Sequence, residues 1–246
     1  ARGIRLSPFY DRLGELGACF TEAQGWERPG WFAPDGVKPE YVYSFKRQNW
    51  FEHSAAEHKA VREAVGMFDQ TSFSKFELLG QDAEAVLNRV SANDVAVEPG
   101  RIVYTQWLNE RGGIEADLTV TRLERDRFLI VSGVASQVRD FQWLKRHIPD
   151  DADAELADIT EDIAVLGVMG PASRALFSEV SDADLSNEGF PFQTSREIDI
   201  AGARVRASRI TYVGELGWEL YIPVDGAAAV FGALQDAGKS HGLALA

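Results

Sequence analysis

Residues 108–120, LNERGGIEADLTV, run a glycine turn straight into an alternating segment. Asn109, Gly112 and Gly113 supply the turn chemistry. From there Ile114, Ala116, Leu118 and Val120 recur at the strand period of two, which leaves Glu115, Asp117 and Thr119 on the opposite face. This is the pattern of a half-buried antiparallel strand, and it sets the fold class for what surrounds it. Aspartate is a poor strand former, which tilts the reading slightly toward a use. A wet sheet surface and a binding site both satisfy the pattern.

Outward from this hairpin the elements fall in a definite order. The patterning predicts strand 72–79, helix 82–91, strands 101–108, 114–123 and 127–133, and helix 137–147, stopped by Pro149. After the acidic stretch DDADAELADITED (150–162) come strand 163–169 and helix 171–181, with Pro171 in its first turn. Strands near 194–200, 203–211 and 217–222 follow, and then helix 226–240, capped by Asp225 and closed by Gly242. Each half reads β-α-β-β-β-α. Antiparallel meanders broken by single helices favour an α+β fold of two ferredoxin-like halves over a doubly wound parallel sheet, with ligand expected between the halves. The expected division is an irregular N-terminal arm (1–50), a first half (51–150) and a second half (151–246). The arm holds one short helix near 7–17, and Ser54 with Glu57 reads as a capping box for a helix running to Val65.

Composition narrows the function classes. The 246 residues are 45% hydrophobic, enough for a real core, and 38 acidic against 25 basic side chains give a net charge of −13. Nucleic-acid and anionic-membrane surfaces need a basic footprint, so neither is an expected partner. The single cysteine, Cys19, has no internal disulfide partner, no run approaches a bilayer span, and the N-terminus lacks a secretory apolar segment. A cytoplasmic location is expected, or the mitochondrial matrix in a eukaryote. The missing initiator methionine and the ending HGLALA suggest a piece of a longer protein.

Dinucleotide and P-loop glycine signatures are absent, and the only close histidine pair, His53 and His58, has a spacing that does not face one metal, so no metal site is expected. The strand acids say more. Asp117 follows the glycine turn of the first half, while TYVGELGWELY (211–221) forms an equivalent turn in the second half, with Glu215 in it and Glu219 on the strand beyond. Trp218, Leu220 and Ile222 alternate to one side, so Glu219 and Tyr221 share the other. On the residues alone, a solvated sheet face is the first explanation of these acids and a binding site the second. Tyr104 and Tyr212 precede the turns as packing residues or ring platforms. Trp26, Trp31, Phe32, Trp50 and Phe51 of the arm are read as a wrap over apolar surface, with a cofactor cover as the alternative.

Four ordered segments, FDQTSFSKFELLGQDAEAVLNRVSAND (68–94), PGRIVYTQWLNERGGIEADLTVTRL (99–123), GVMGPASRALF (167–177) and RITYVGELGWELYIP (209–223), together resemble the aminomethyltransferase family, whose best-known member is the glycine-cleavage T-protein. The stretch LSPFYDRLGELGACFTEAQGWERPGWFAP (6–34) looks like the junction before the folate domain of dimethylglycine and sarcosine dehydrogenases. Val213, where free-standing transferases usually have threonine, points the same way.

The resemblance implies a tetrahydrofolate-dependent one-carbon module. It would capture a methylene or iminium carbon from an N-methyl amine as 5,10-methylenetetrahydrofolate, with FAD in a separate oxidase domain of the parent protein. On this reading the family's catalytic acid falls on Asp117 and its pterin-contacting tyrosine and glutamate on Tyr212 and Glu219. Tyr104, Thr119 and Val131 match positions near the pterin. The pair of aspartates common in the family is reduced here to Ala116–Asp117, with Glu115 before them. The family's next motif, which contributes an arginine, and its C-terminal β-domain lie beyond residue 246. Alternatives are a folate-dependent methyltransferase or demethylase acting without flavin, and a non-catalytic folate-binding protein. The latter would normally carry a cysteine-centred motif that does not occur here.

Overall fold

The computed structural model describes residues 2–246. In chain order, α1 (Tyr10–Glu15) precedes β1 (Ala18–Ala23) and β2 (Trp26–Phe32), and α2 (Phe51–Glu63) leads into β3 (Val65–Asp69). Next come β4 (Ser74–Leu79), α3 (Ala83–Val90), β5 (Ile102–Leu108), β6 (Ile114–Glu124), β7 (Arg127–Ser132), α4 (Gln137–His147) and the short β8 (Glu155–Asp158). The rest is β9 (Ile163–Met169), α5 (Ser173–Val180), β10 (Ser195–Ile200), β11 (Ala203–Ser208), β12 (Gly217–Pro223), α6 (Ala227–Gly238) and β13 (Leu243–Leu245). The expected β-α-β-β-β-α order is therefore present twice, β4 to α4 and β9 to α6. No helix is long and apolar enough to cross a membrane among the described residues.

The chain forms two compact units, which cut across its linear order. The smaller comprises Ser72–Ile163 with Gln193–Arg196; the larger holds the residues up to Thr71, Ala164–Phe192 and Glu197–Ala246. The smaller unit's sheet runs β5-β6-β7-β4-β8, antiparallel throughout. One face buries Phe76, Leu78, Trp107, Leu118, Val120 and Ile130 against Val86 and Leu87 of α3 and Leu144 of α4. Each such side chain stabilises the fold by about 1.5–3 kcal/mol relative to exposure. The larger unit's sheet runs β10-β11-β12-β9-β3-β13, in which β11 pairs antiparallel with β12, β3 antiparallel with β9 and β13 parallel with β3. Its core gathers Val168, Val205, Trp218, Leu220 and Ile222 with Leu176 and Phe177 of α5 and Val230, Phe231 and Leu234 of α6.

The two sheet orders repeat one another. β10-β11-β12-β9 reproduces β5-β6-β7-β4, and β3 and β8 occupy the same place beyond it. This duplication corrects the matching of turns made from sequence. The turn before Asp117 joins β5 to β6, and its counterpart is the tight Ala201–Gly202 turn between β10 and β11; the turn before Glu219 joins β11 to β12, one connection later.

Other departures have local causes. Within the arm, β1 and β2 form an antiparallel hairpin whose two turn residues, Gln24 (φ 53°) and Gly25 (φ 84°), both lie in the left-handed region, as a type I′ turn requires. Residues 33–50 follow without helix or strand. The capping box does not form: α2 starts at Phe51, the Ser54 amide already donates to Trp50 O, and Glu57 Oε1 accepts instead from the Phe32 amide at 2.8 Å. Asp225 lies in a 3-10 turn before α6 and makes no side-chain cap. Gly242 does close that end, at φ 69°. Trp26 and Trp31 of the arm are buried, Trp31 packing with Cys19, Tyr41 and Trp50.

Candidate functional site

In the smaller unit the β5–β6 hairpin is tied by Asn109. Its Oδ1 accepts from the Arg111 and Gly113 amides at 3.0 and 2.9 Å, and its Nδ2 donates to Glu115 Oε1 at 2.8 Å. That closure fixes the register of β6 and sends Ala116, Leu118 and Val120 into the core. Asp117, Thr119 and Thr121 take the other face.

Strand pairing then brings the sequence-derived candidates into rows. Tyr104 lies opposite Thr119, Thr119 opposite Val131, and Val131 opposite Lys75; one step along, Gln106 lies opposite Asp117. Asp117 is exposed, and Gln106 Nε2 donates to its Oδ1 at 3.2 Å. Tyr104 is 52% exposed, whereas Val131 is buried. The face carries an exposed aromatic ring beside Thr119, Val131 and Lys75, and an acid that accepts from one neutral amide.

The larger unit carries the remaining two candidates. Glu219 sits on β12 opposite Ser208 of β11, while its neighbours Trp218 and Leu220 point into the core. Tyr221, two residues on and so on the same face, donates from its hydroxyl to Glu219 Oε2 at 2.7 Å. Oε1 accepts no hydrogen bond from the described residues. Burial pushes the Glu219 carboxyl above the ordinary glutamate range, against the hydrogen bond from Tyr221, which lowers it. The Tyr221 hydroxyl is raised well above its usual value by its own burial and by the adjacent carboxylate.

Tyr212 lies in the turn before β12, 93% exposed, and makes no hydrogen bond to Glu219. Thr211 Oγ1 accepts from the Gly214 amide at 3.2 Å, and Arg62 of α2 holds Glu215 at 2.7 Å. Glu215 is thus committed to an ion pair that fastens the turn. Glu219 has one free oxygen.

Sequence reasoning named the acids but missed the residues that hold them. Gln106 was legible in principle, since it is two residues after Tyr104 and must share its face. Tyr221 was placed on the face of Glu219 without a task. Lys75, fully buried at the end of the Tyr104 row, was missed although S-K-F-E-L-L alternates plainly.

Known proteins resemble the chain along nearly its whole length. The GCVT N-terminal domain model matches residues 9–246. The chain is 45% identical over 245 residues to 4-methylaminobutanoate oxidase (formaldehyde-forming) of Paenarthrobacter nicotinovorans, covering all of this chain and 30% of that protein. It is 38% identical to the mitochondrial sarcosine dehydrogenase of Homo sapiens, covering 98% of this chain and again 30% of the relative. The crystal structure of the glycine cleavage system aminomethyltransferase T from Bartonella henselae superposes with a TM-score of 0.79 at 24% identity, over 99% of this chain and 59% of that one. The chain therefore belongs to the GCVT N-terminal domain family, with the aminomethyltransferase fold, and it spans about 30% of the length of these two curated relatives.

Proposed function

We propose that this chain is the tetrahydrofolate-dependent part of a larger amine-oxidising protein, taking up the one-carbon unit released from an N-methyl amine of the dimethylglycine or sarcosine type and yielding 5,10-methylenetetrahydrofolate. The observation that carries the reading is Glu219, a half-buried carboxylate with one oxygen held by Tyr221 and the other without a donor among the described residues. A pterin edge presents paired N–H donors, and a carboxylate removed from water binds such an edge by charge-assisted hydrogen bonds. The chain's residues fit the group on that account.

Tetrahydrofolate, when bound, supplies the nitrogen nucleophiles that take the carbon. Glu219 anchors the ring edge, Tyr221 keeps its carboxylate oriented, and Tyr212 and Tyr104 offer aromatic cover, with Thr119 and Val131 beside Tyr104. Asp117, ionised and oriented by Gln106, stabilises positive charge on the incoming carbon and accepts the proton displaced from the attacking nitrogen. The oxidation that makes the carbon electrophilic belongs to an FAD-containing domain of the parent protein.

The name of the 45% identical relative favours a second reading, in which the parent releases its carbon as free formaldehyde. Turnover of the full-length parent with and without tetrahydrofolate separates the two. Capture predicts that free formaldehyde falls as methylenetetrahydrofolate appears in equal amount, and unchanged formaldehyde would refute it.

A further inference from the structure

Two arginines of the larger unit form an arrangement that the one-carbon reading does not use. Arg174 stands in the first turn of α5, where the helix dipole disfavours a cation and no acidic residue occurs. Arg209 follows directly after β11. Nη2 of each donates to the same Oδ1 of Asn187 at 2.7 Å, so the two cationic groups approach within twice 2.7, or 5.4 Å, at these nitrogens. Arg209 Nη1 also donates to Phe190 O at 2.5 Å, and its guanidinium carbon lies 5.7 Å from the Trp218 ring centre.

What is missing is a carboxylate. Three other half-buried guanidiniums of this acidic chain have one: Arg127 on Glu77 at 2.8 Å, Arg122 on Glu84 at 2.6 Å, Arg206 on Glu197 at 3.0 Å. Arg174 and Arg209 have no ion pair among the described residues, and Arg174 Nε is buried without any partner. Glu188 acts on Arg209 only from a distance, and burial together with the charge of Arg174 pushes the Arg209 guanidinium below its ordinary range. A neutral amide oxygen bridging two guanidiniums occupies the place that a charged oxygen fills far better. Asn187 is exposed on the loop between α5 and β10, so its carboxamide can turn out while the Phe190 carbonyl holds Arg209 in place.

We infer that Arg174 and Arg209 form a binding site for an oxyanion, the carboxylate or phosphate group of a small molecule, with one of its oxygens replacing Asn187 Oδ1 between the two guanidiniums. The site stands independently of the folate reading. Bidentate Arg contacts suit both anions, so the choice between them is left to two arms of one experiment.

The test is calorimetric titration of the whole chain with inorganic phosphate and, separately, with succinate, at ionic strength held constant by chloride. Saturation in the millimolar range by at least one is expected, and the responding arm names the group. Arg174→Gln should weaken binding tenfold or more. Asn187→Asp, which supplies an internal carboxylate, should abolish binding and raise the Tm; this variant keeps the test decisive if Arg174→Gln does not fold. No saturation by either anion, binding that both variants leave unchanged, or an Asn187→Asp protein with unaltered Tm would overturn the proposal.

Discussion

Asp117 and Glu219 are both strand carboxylates that alternate with core residues, yet their surroundings differ. Asp117 is exposed at the rim of the smaller unit's open face and touches one neutral amide. Glu219 is half-buried in the larger unit, raised in pKa by burial, and held by a buried tyrosine. An exposed acid keeps its charge available to a reacting group at little cost. A desolvated acid is expensive to ionise alone, and so is rewarded when a ligand brings N–H donors to it. Under the proposed function this difference divides the labour, with Asp117 assigned to transfer and Glu219 to recognition.

The sharpest way to break that division is Asp117→Asn. In the full-length parent, methylenetetrahydrofolate formation should fall by roughly a hundred- to ten-thousand-fold, the usual worth of a positioned acid or base, while the Kd for tetrahydrofolate changes only a few fold. Complete loss of binding would show that both acids recognise the ligand. Glu219→Gln should do the converse, weakening tetrahydrofolate by about 1.5–3 kcal/mol, the range for hydrogen bonds to a charged group.

Glu219 also gives a signed pH dependence. Its folded pKa is raised, so the ionised side chain destabilises the fold, an effect absent below the ordinary glutamate range and fully present above the raised folded value. Thermal melts of wild type and Glu219→Gln should coincide near the acid end, with the variant becoming the more stable as pH rises through that window. Tetrahydrofolate binding by wild type should run the other way, tightening over the same window as the carboxylate ionises. Tyr221→Phe removes a hydrogen bond that favours the charged form, so it should move both transitions to higher pH and weaken binding by about 1 kcal/mol. The smallest effect belongs to Gln106→Ala, which frees the exposed Asp117 side chain: transfer should slow a few fold with the Kd unchanged, as read from single-turnover rates.

Much of the scaffold was legible because its signal is local. Alternation through β5, β6 and β7 fixed which side chains share a face, and register then set Tyr104, Thr119 and Val131 in one row. Elements that depend on distant partners were not legible. VGMFD (65–69) follows α2 after a single residue and reads as its fraying end; it is a strand only because β9 and β13 flank it. ELAD (155–158) is too polar to announce itself and exists as an edge strand paired to β4. Pro29 and a bulge at Cys19/Phe20 hide the alternation of the β1–β2 hairpin. At the site, the acids stood out as polar residues in apolar strands. The raised pKa of Glu219 did not, because burial and the Tyr221 hydroxyl are properties of packing.

The central proposal is that the two acids do separate work, Asp117 in one-carbon transfer and Glu219 in folate recognition. It is met most directly by titrating tetrahydrofolate into the chain and into its full-length parent, each as wild type, Asp117→Asn and Glu219→Gln. The account predicts saturable binding by the wild-type parent, nearly the same Kd for Asp117→Asn, and a tenfold or greater loss for Glu219→Gln. No saturable binding by the parent, or a loss that follows Asp117 and spares Glu219, would contradict it.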